Sequence, residues 1–374
     1  MTHRIVVLGA GYAGANAAGR LAKKLHPADT EITLVNADPE FVERVRLHQL
    51  ATGQDLKARK LTDVFANTGV RVRIARVAAV DAERKIVNTD DGDIAYDTLV
   101  YALGSAAVDV PEHAYDIAGK QSALRLRDRL DDLGAGATVL VVGGGLTGIE
   151  AVTEIAEARP DLHVSLAARG ELGGWLSDKA QQHLRKAFDR LGITVHEGVD
   201  GRELSADVTV WTAGFAVHPI AAATTLEVSP SGQIVVDETM RSVSHPDVYA
   251  IGDAALAPGG NGSPLRMSCA SGVPTGHLAA DAIVARLTGR EIPQNKIGYN
   301  AQCISLGRND ALLQWVTPDD QPKPSAVTGK AAVRLKEFIC KSAAWSISHP
   351  TLMIPTRRRR VAEVSAVTEN ALQF

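Results

Sequence analysis

The sequence predicts an α/β protein with parallel sheets, on three observations. A glycine-rich turn joins an apolar strand to a helix near the N-terminus, a second turn of the same form lies near residue 143, and strand-like and helix-like segments alternate through most of the 374 residues. A chain of this length exceeds what one hydrophobic core usually serves, so two or three domains are expected. With 45% hydrophobic residues, 22% charged residues and a net charge of −3, the composition is that of a folded globular protein without the basic excess that nucleic-acid binding requires.

Residues 4–36 read as strand, turn, helix, strand: "RIVVLG", then "GYAGANAAGRLAKKL", then "EITLVN". Short alternating strands follow in "VRVRIARVAAVD" and "RKIVNTDDGDIAYDTLVYALG", with a hairpin turn at Asp91-Gly92. Residues 138–169 repeat the first unit with "TVLVVG", "GGLTGIEAVTEIAEA", a turn at Arg159-Pro160-Asp161, and "HVSLAAR". The helix "SDKAQQHLRKAFDRLG" and the strands "ITVHEG" and "ADVTVWTAG" continue a parallel sheet, and "HPDVYAIGDAA" is an apolar strand ending in Gly-Asp. From about residue 296 the chain turns to isolated strands and a closing segment rich in basic and apolar residues. The expected domains are 1–112 with 238–295, an inserted 113–237, and a small α+β domain over 296–374.

The glycine turns carry the chemistry. "GAGYAG" sets Gly9, Gly11 and Gly14, and "GGGLTG" sets Gly143, Gly145 and Gly148, in G-x-G-x-x-G spacing. The first glycine permits the tight turn, the second lets the backbone approach a diphosphate, and the third lets the helix pack on the strand. Each turn opens a helix whose N-terminal N–H groups and dipole favour an anion. Both units are therefore read as Rossmann-like, three-layer dinucleotide-binding domains. The ribose-binding acid expected at the end of the second strand is Asn36 in the first unit, with Asp38 nearby; Asn still hydrogen-bonds a hydroxyl. In the second unit Ala167 and Ala168 stand there, followed by Arg169, which favours the 2′-phosphate of NADPH over NADH unless it is a plain solvated residue.

The run "MTHR" leads directly into the first strand without the apolar core of a signal peptide, and no stretch reaches the length of a membrane-spanning helix, so a cytoplasmic protein is expected. Cys269, Cys303 and Cys340 form no CxxC or CxxxxC pair, which argues against a disulfide framework, a metal site or a dithiol centre and for ordinary buried thiols.

Taken in order, "VLGAGYAG", "VYALGS", "LVVGGGLTGIEAV", "VWTAGF" and "DVYAIGDAA" resemble the two-dinucleotide-binding-domain flavoproteins of the pyridine nucleotide oxidoreductase superfamily. Within it the chain is most similar to type II NADH dehydrogenases and to ferroptosis-suppressor or apoptosis-inducing-factor-like quinone reductases, over about residues 1–290. The resemblance implies FAD and NADH or NADPH as cofactors. It places Gly9, Gly11, Tyr12, Ala13 and Gly14 at the FAD diphosphate, Asn36 at its ribose, and Val77 at the adenine through its backbone. Ala102, Leu103 and Gly104 would form the crossover, Gly252 and Asp253 would meet the ribityl chain, and Arg46 would contact FAD. Gly143, Gly145, Leu146, Thr147, Gly148, Arg169, Ala213 and Gly214 would hold the nicotinamide nucleotide. Glu150 would orient the nicotinamide carboxamide, or merely complement the dipole in the first helical turn. His48 would lie near the isoalloxazine as a proton donor to the reduced acceptor, its ordinary pKa being close to working pH, or would simply pack.

The sequence departs from relatives in two places. Where the disulfide-reductase branch carries CxxxxC, this chain has "EFVERVRLHQLATG", which excludes that chemistry. Where type II dehydrogenases carry an Ala-Gln-x-x-x-x-Gln-like quinone element, "MSCASGVPTGHLAAD" sets Ala270 and Pro274 in place of the glutamines. The expected activity is hydride transfer from NAD(P)H to flavin N5, then two-electron reduction of a quinone or other small electrophilic acceptor. The alternative is a low-turnover redox sensor or partner-binding flavoprotein. The tail "FICKSAAWSISHPTLMIPTRRRR" joins apolar residues to Arg357–Arg360 and suggests weak peripheral membrane contact, although Pro350 and Pro355 interrupt any long helix. The C-terminal domain is also a candidate for homodimer contact.

Overall fold

The computed structural model of the protein describes residues 2–260, 262–294, 296–352 and 357–362. The first unit contains β1 (His3–Leu8), α1 (Tyr12–Lys24) and β2 (Thr30–Asn36), followed by short α2 (Leu47–Ala51) and α3 (Leu61–Val64). Strands β3 (Val70–Ile74), β4 (Val77–Asp81), β5 (Ile86–Thr89), β6 (Ile94–Ala95) and β7 (Thr98–Tyr101) complete this region. After β8 (Ser105–Ala107) come β9 (Ala114–Asp116), α4 (Lys120–Asp131), β10 (Thr138–Val142), α5 (Leu146–Ala158) and β11 (His163–Ala168). Then follow α6 (Asp178–Arg190), β12 (Thr194–Glu197), β13 (Val208–Trp211), β14 (Phe215–Val217), β15 (Ile234–Val235), β16 (Val248–Ala250), β17 (Ala255–Leu256) and α7 (Cys269–Leu287). The chain ends in β18 (Ala301–Ser305), β19 (Ala311–Val316), β20 (Pro322–Thr328) and α8 (Lys330–Ser348).

Two five-stranded parallel sheets dominate, in orders β16-β7-β1-β2-β3 and β12-β11-β10-β13-β9. Their central strands are continuous apolar runs, Ile5–Leu8 and Val139–Val142, because a parallel strand covered on both faces has no solvent side to make polar. In the first sheet Leu8 stands beside Val35 and Tyr101; in the second, Val142 stands beside Ala167 and Trp211. Each glycine turn thus leaves the C-terminal edge of its sheet between the ends of two neighbours, the place where open α/β sheets take ligands. The antiparallel β4-β5-β6 meander adds Val77, Val80 and Val87 to the first core, where α1 packs on α7.

The antiparallel pair β8–β14 carries the chain out of the first region and back. The return comes earlier than the expected boundary at 237: Ile220, Leu226, Ile234 and Val236 already pack with the first core, and β15 pairs with β17. The three-stranded sheet β18-β19-β20 with α8 lies where a small α+β region is expected, and its described residues form no core cluster of their own. Ile304, Leu306, Leu312 and Ala326 belong to the second sheet's core and Ile347 to the first. Three strands and one helix bury too little to stand alone.

Candidate functional site

At the first turn Gly9 has φ +94, and a Cβ on Gly9 or Gly14 would penetrate the carbonyl of Ala102 or of Gly9 itself. Only glycine lets α1 start this close to β1 and the end of β7. Gly11 is different: nothing lies within 4 Å of its missing side chain, and no side chain caps the helix there. The second turn repeats the plan. Gly143 has φ +124 with Thr212 Oγ1 2.6 Å from its missing Cβ, Gly148 abuts the Gly143 carbonyl, and Gly145 is open at the uncapped start of α5. Leu146 and Thr147 open α5 as Tyr12 and Ala13 open α1. Thr212 donates to Val142 O at 2.8 Å, and Ala213 and Gly214 follow at the end of β13, Gly214 with φ +98. Two open, uncapped helix starts fit the diphosphates of FAD and of a nicotinamide nucleotide.

Elements distant in sequence converge on the first turn. Ala13 packs against the backbone of Gly252 and Gly276, and Gly252 N–H donates to Thr275 Oγ1 at 3.0 Å, tying the Gly-Asp loop to α7. Ser105 donates to Asp253 Oδ2 at 2.6 Å, and Arg44 donates to Ser105 O at 2.9 Å, beside Ala102, Leu103 and Gly104. Tyr12 meets Phe41 edge-on, and its buried hydroxyl has no protein partner among the described residues. Val77 is buried at the start of β4.

Two residues expected at FAD also hold protein contacts. Asn36 Oδ1 accepts from Ala10 N–H at 2.9 Å and its Nδ2 donates to Asp38 O at 2.7 Å, so the amide braces the turn. Arg46 donates to both carboxylate oxygens of Glu337 at 3.1 and 3.0 Å and to Gln49 at 3.0 Å, which fastens α8 to the first region.

Glu150 and His48, widely separated in sequence, meet in one buried cluster. Lys336 Nζ, from α8, donates to Glu150 Oε1 and to Cys303 O; Ser305 N–H donates to the same carboxylate at 3.0 Å and Ser305 Oγ lies 3.2 Å from it. His48 Nδ1 stands 3.8 Å from Glu150 Oε2, with Nε2 3.4 Å from Ser305 Oγ. Burial opposes both charges of the ion pair, yet Glu150 is held below the ordinary carboxylate range by Lys336, and Lys336 above the ordinary amine range by Glu150. Burial, with Lys336, Arg308 and Arg46 nearby and Glu150 opposing, lowers His48 to about 4, which favours the neutral imidazole at neutral pH. Glu150 corrects an expectation. It lies in the second turn of α5, not the first, and is paired with a cation, so dipole complementation does not explain it. Sequence reading missed Lys336 and Ser305.

A cavity of about 390 Å³ opens between the 43–59 segment and α8, lined by Arg46, Leu56, Arg59, Glu337 and Trp345 among others, and no residue of the cluster lines it. The thiols depart from expectation in part: Cys340 is buried, Cys303 half-buried and Cys269 exposed. Burial pushes Cys303 up to about 11, away from thiolate chemistry. No group of three or more potential metal ligands occurs among the described residues. Arg169 is exposed and paired with Asp200 at 3.2 Å. Arg357–Arg360 include Arg360, which pairs with Asp29 at 2.7 Å, while Pro355 lies outside the described residues.

The model of the pyridine nucleotide-disulphide oxidoreductase family matches residues 3–276. An NADH dehydrogenase-like protein of Mycobacterium tuberculosis is 29% identical over 355 residues, covering 83% of this chain and 87% of that protein. A type II NADH:quinone oxidoreductase of Staphylococcus epidermidis is 26% identical over 393 residues, covering 92% and 96%. In fold, the chain is similar to the sulfide:quinone oxidoreductase of Aquifex aeolicus, with TM-score 0.79, 17% identity and coverage of 97% and 98%. It is also similar to NDH2 of Plasmodium falciparum in complex with NADH, with TM-score 0.76, 13% identity and coverage of 94% and 98%.

Proposed function

The chain belongs to the pyridine nucleotide-disulphide oxidoreductase family, and from that premise we propose that it oxidises NADH or NADPH and reduces a quinone or a similar small electrophilic acceptor. It is an FAD-dependent NAD(P)H oxidoreductase. FAD, when bound, supplies the two-electron relay between donor and acceptor. The chain's residues bind, orient and supply protons around it. The start of α1 at Gly11 would hold the FAD diphosphate, with the Ser105–Asp253 pair nearby, and the start of α5 at Gly145 would hold the nucleotide diphosphate.

The observation that carries the acceptor assignment is the buried Lys336–Glu150 pair, which joins α8 to α5. Converting a quinone to a quinol consumes two protons. Lys336 Nζ holds a proton against Glu150 Oε1 where water is excluded. Lys336 would supply positive charge and a proton; Glu150 would keep it protonated. His48, neutral, would position that carboxylate instead of donating. Quinones and other planar acceptors bind largely through apolar contact, so the missing glutamines at Ala270 and Pro274 are compatible with this reading.

The exposed side chains of Phe338, Ile339, Trp345 and Leu352, on α8 and just beyond it, support peripheral lipid contact near the cavity mouth. No helix among the described residues is long and apolar enough to cross a membrane.

Anaerobic mixing of the holoenzyme with NADH or NADPH, followed by a quinone, ferricyanide or dioxygen, tests the proposal. Rapid bleaching of the flavin and faster recolouring by the quinone than by dioxygen are expected. Slow bleaching with a persistent long-wavelength charge-transfer band, and no quinone turnover, would instead identify a redox sensor.

A further inference from the structure

Glu150, His48, Ser305 and Lys336 are all buried, so a proton that Lys336 gives up has to be replaced through another group. One turn further along α5 stands Glu154, its side chain 2% exposed. Residues four apart on a helix share a face, with Cβ atoms about 5–6 Å apart. The two oxygens of Glu154 have different surroundings: Oε1 accepts from Gln54 Nε2 and stands 3.9 Å from Arg308 Nε, whereas Oε2 has no partner among the described residues. Both neighbours lead to the surface, because Gln54 follows the exposed Gly53 just past α2 and Arg308 is exposed in the turn between β18 and β19. Glu157, the next acid along the helix, is committed to that turn, accepting from Arg308 N–H and from Asn309 Nδ2 at 2.8 Å. Of the three acids, Glu154 alone keeps a buried oxygen idle, between the closed cluster and the protein's edge.

We propose that Glu154 is the proton carrier that reloads the Lys336–Glu150 pair from the edge formed by Arg308 and Gln54. The inference rests on the reading that Lys336 protonates a reduced quinone. Of the two protons in a quinol, one arrives with the hydride of NAD(P)H and the other has to come from water. That second proton leaves the Lys336 ammonium for the acceptor oxygen, and an amine remains. With the cation gone, nothing holds Glu150 below the ordinary carboxylate range, so it takes the proton of the Glu154 carboxyl and passes it to the amine. The Glu154 carboxylate, steadied by Arg308 and Gln54, then takes a proton from water at the edge. Burial raises Glu154 to about 7, with Arg308 and Gln54 opposing and Glu157 and Glu150 adding to the rise, so both its forms are populated at neutral pH, as a carrier requires.

Turnover of the holoenzyme with a quinone and with ferricyanide tests the relay, because ferricyanide accepts electrons without protons. In Glu154→Gln the ratio of quinone to ferricyanide turnover should fall about tenfold. Glu154→Asp, which keeps an acid, should recover much of it. In the unsubstituted protein the ratio should fall as pH rises through about 7, since only protonated Glu154 donates, and Glu154→Gln should lack that fall. Infrared difference spectra between about pH 5 and about pH 8 read the same group without turnover. A protonated-carboxyl band that fades as pH rises through about 7, and is missing in Glu154→Gln, is expected. Arg308→Gln should move that titration to higher pH by removing the cation that favours the carboxylate. An unmoved ratio in Glu154→Gln, or the absence of such a band, would overturn the relay while leaving the acceptor reading intact. Turnover of ferricyanide but of no quinone by the unsubstituted protein would sink the acceptor reading, and the relay with it.

Discussion

The two βαβ units are superimposable in plan and opposite in what their helices do with polar side chains. Aligned on Gly11 and Gly145, Asn16 of α1 corresponds to Glu150 of α5, and Arg20 to Glu154. Asn16 is buried but turns back to donate to Tyr12 O in its own helix at 2.8 Å, and Arg20 forms a forked pair with Asp281 on α7 at 2.6 and 2.7 Å. The first helix is thus settled within its own region. Glu150 and Glu154 instead reach outward, to Lys336 and Ser305 of the C-terminal region and to Gln54 and Arg308. One scaffold serves twice: both copies open a helix start to a diphosphate, and the second also sends buried charged side chains into the C-terminal region.

The largest effect that can break this comparison comes from the glycines the units share. Gly14→Ala and Gly148→Ala each place a Cβ inside a backbone carbonyl that cannot move away, a strain of about 4 kcal/mol or more. Gly14→Ala should yield protein stripped of flavin. Gly148→Ala should retain flavin absorbance but be bleached by NAD(P)H at least about 100-fold more slowly. Loss of flavin in Gly148→Ala would show that the two units do not act separately.

The next effect probes the helices themselves. Lys336→Met leaves Glu150 buried without its cation and should destabilise the protein by about 3–5 kcal/mol in urea titration, with Glu150→Gln in the same chain recovering part of the loss. Asn16→Ala, whose bond is local, should cost only about 1 kcal/mol. Equal losses in Lys336→Met and Asn16→Ala would erase the distinction between a self-contained and an outward-reaching helix.

This contrast also marks where the sequence was readable. The glycine turns, both parallel sheets and the Gly-Asp loop follow from local patterns: apolar period, turn residues and fixed spacing. Glu150 and His48 stood out as chemistry, but Lys336 is 186 residues from Glu150 and Ser305 is 155, and no local pattern links them. The state of His48 depends on burial and neighbouring cations that only the tertiary fold supplies. Likewise, Ile220–Val236 carries no long strand or helix period, so its packing with the first core does not follow from local pattern.

The smallest effect concerns the other matched position. Arg20 has an opposite charge in Asp281, whereas Glu154 is buried with Oε2 unpartnered among the described residues, accepts from Gln54 Nε2 and stands 3.9 Å from Arg308. Burial, only partly offset by Arg308 and Gln54, raises its pKa to about 7 from an ordinary value of 4.5. A carboxyl whose folded pKa exceeds its unfolded one binds more protons when folded between those values. Its contribution to stability is therefore undiminished below about 4.5 and falls as pH rises through about 7. Glu154→Gln removes that titration while keeping the side chain's shape. It should leave the urea midpoint little changed at pH 5 and raise stability by about 1–3 kcal/mol at pH 8, flattening the profile between. An unchanged pH slope in Glu154→Gln would mean that the buried acid is already compensated, as Arg20 is, and that the outward reach of α5 rests on Glu150 alone.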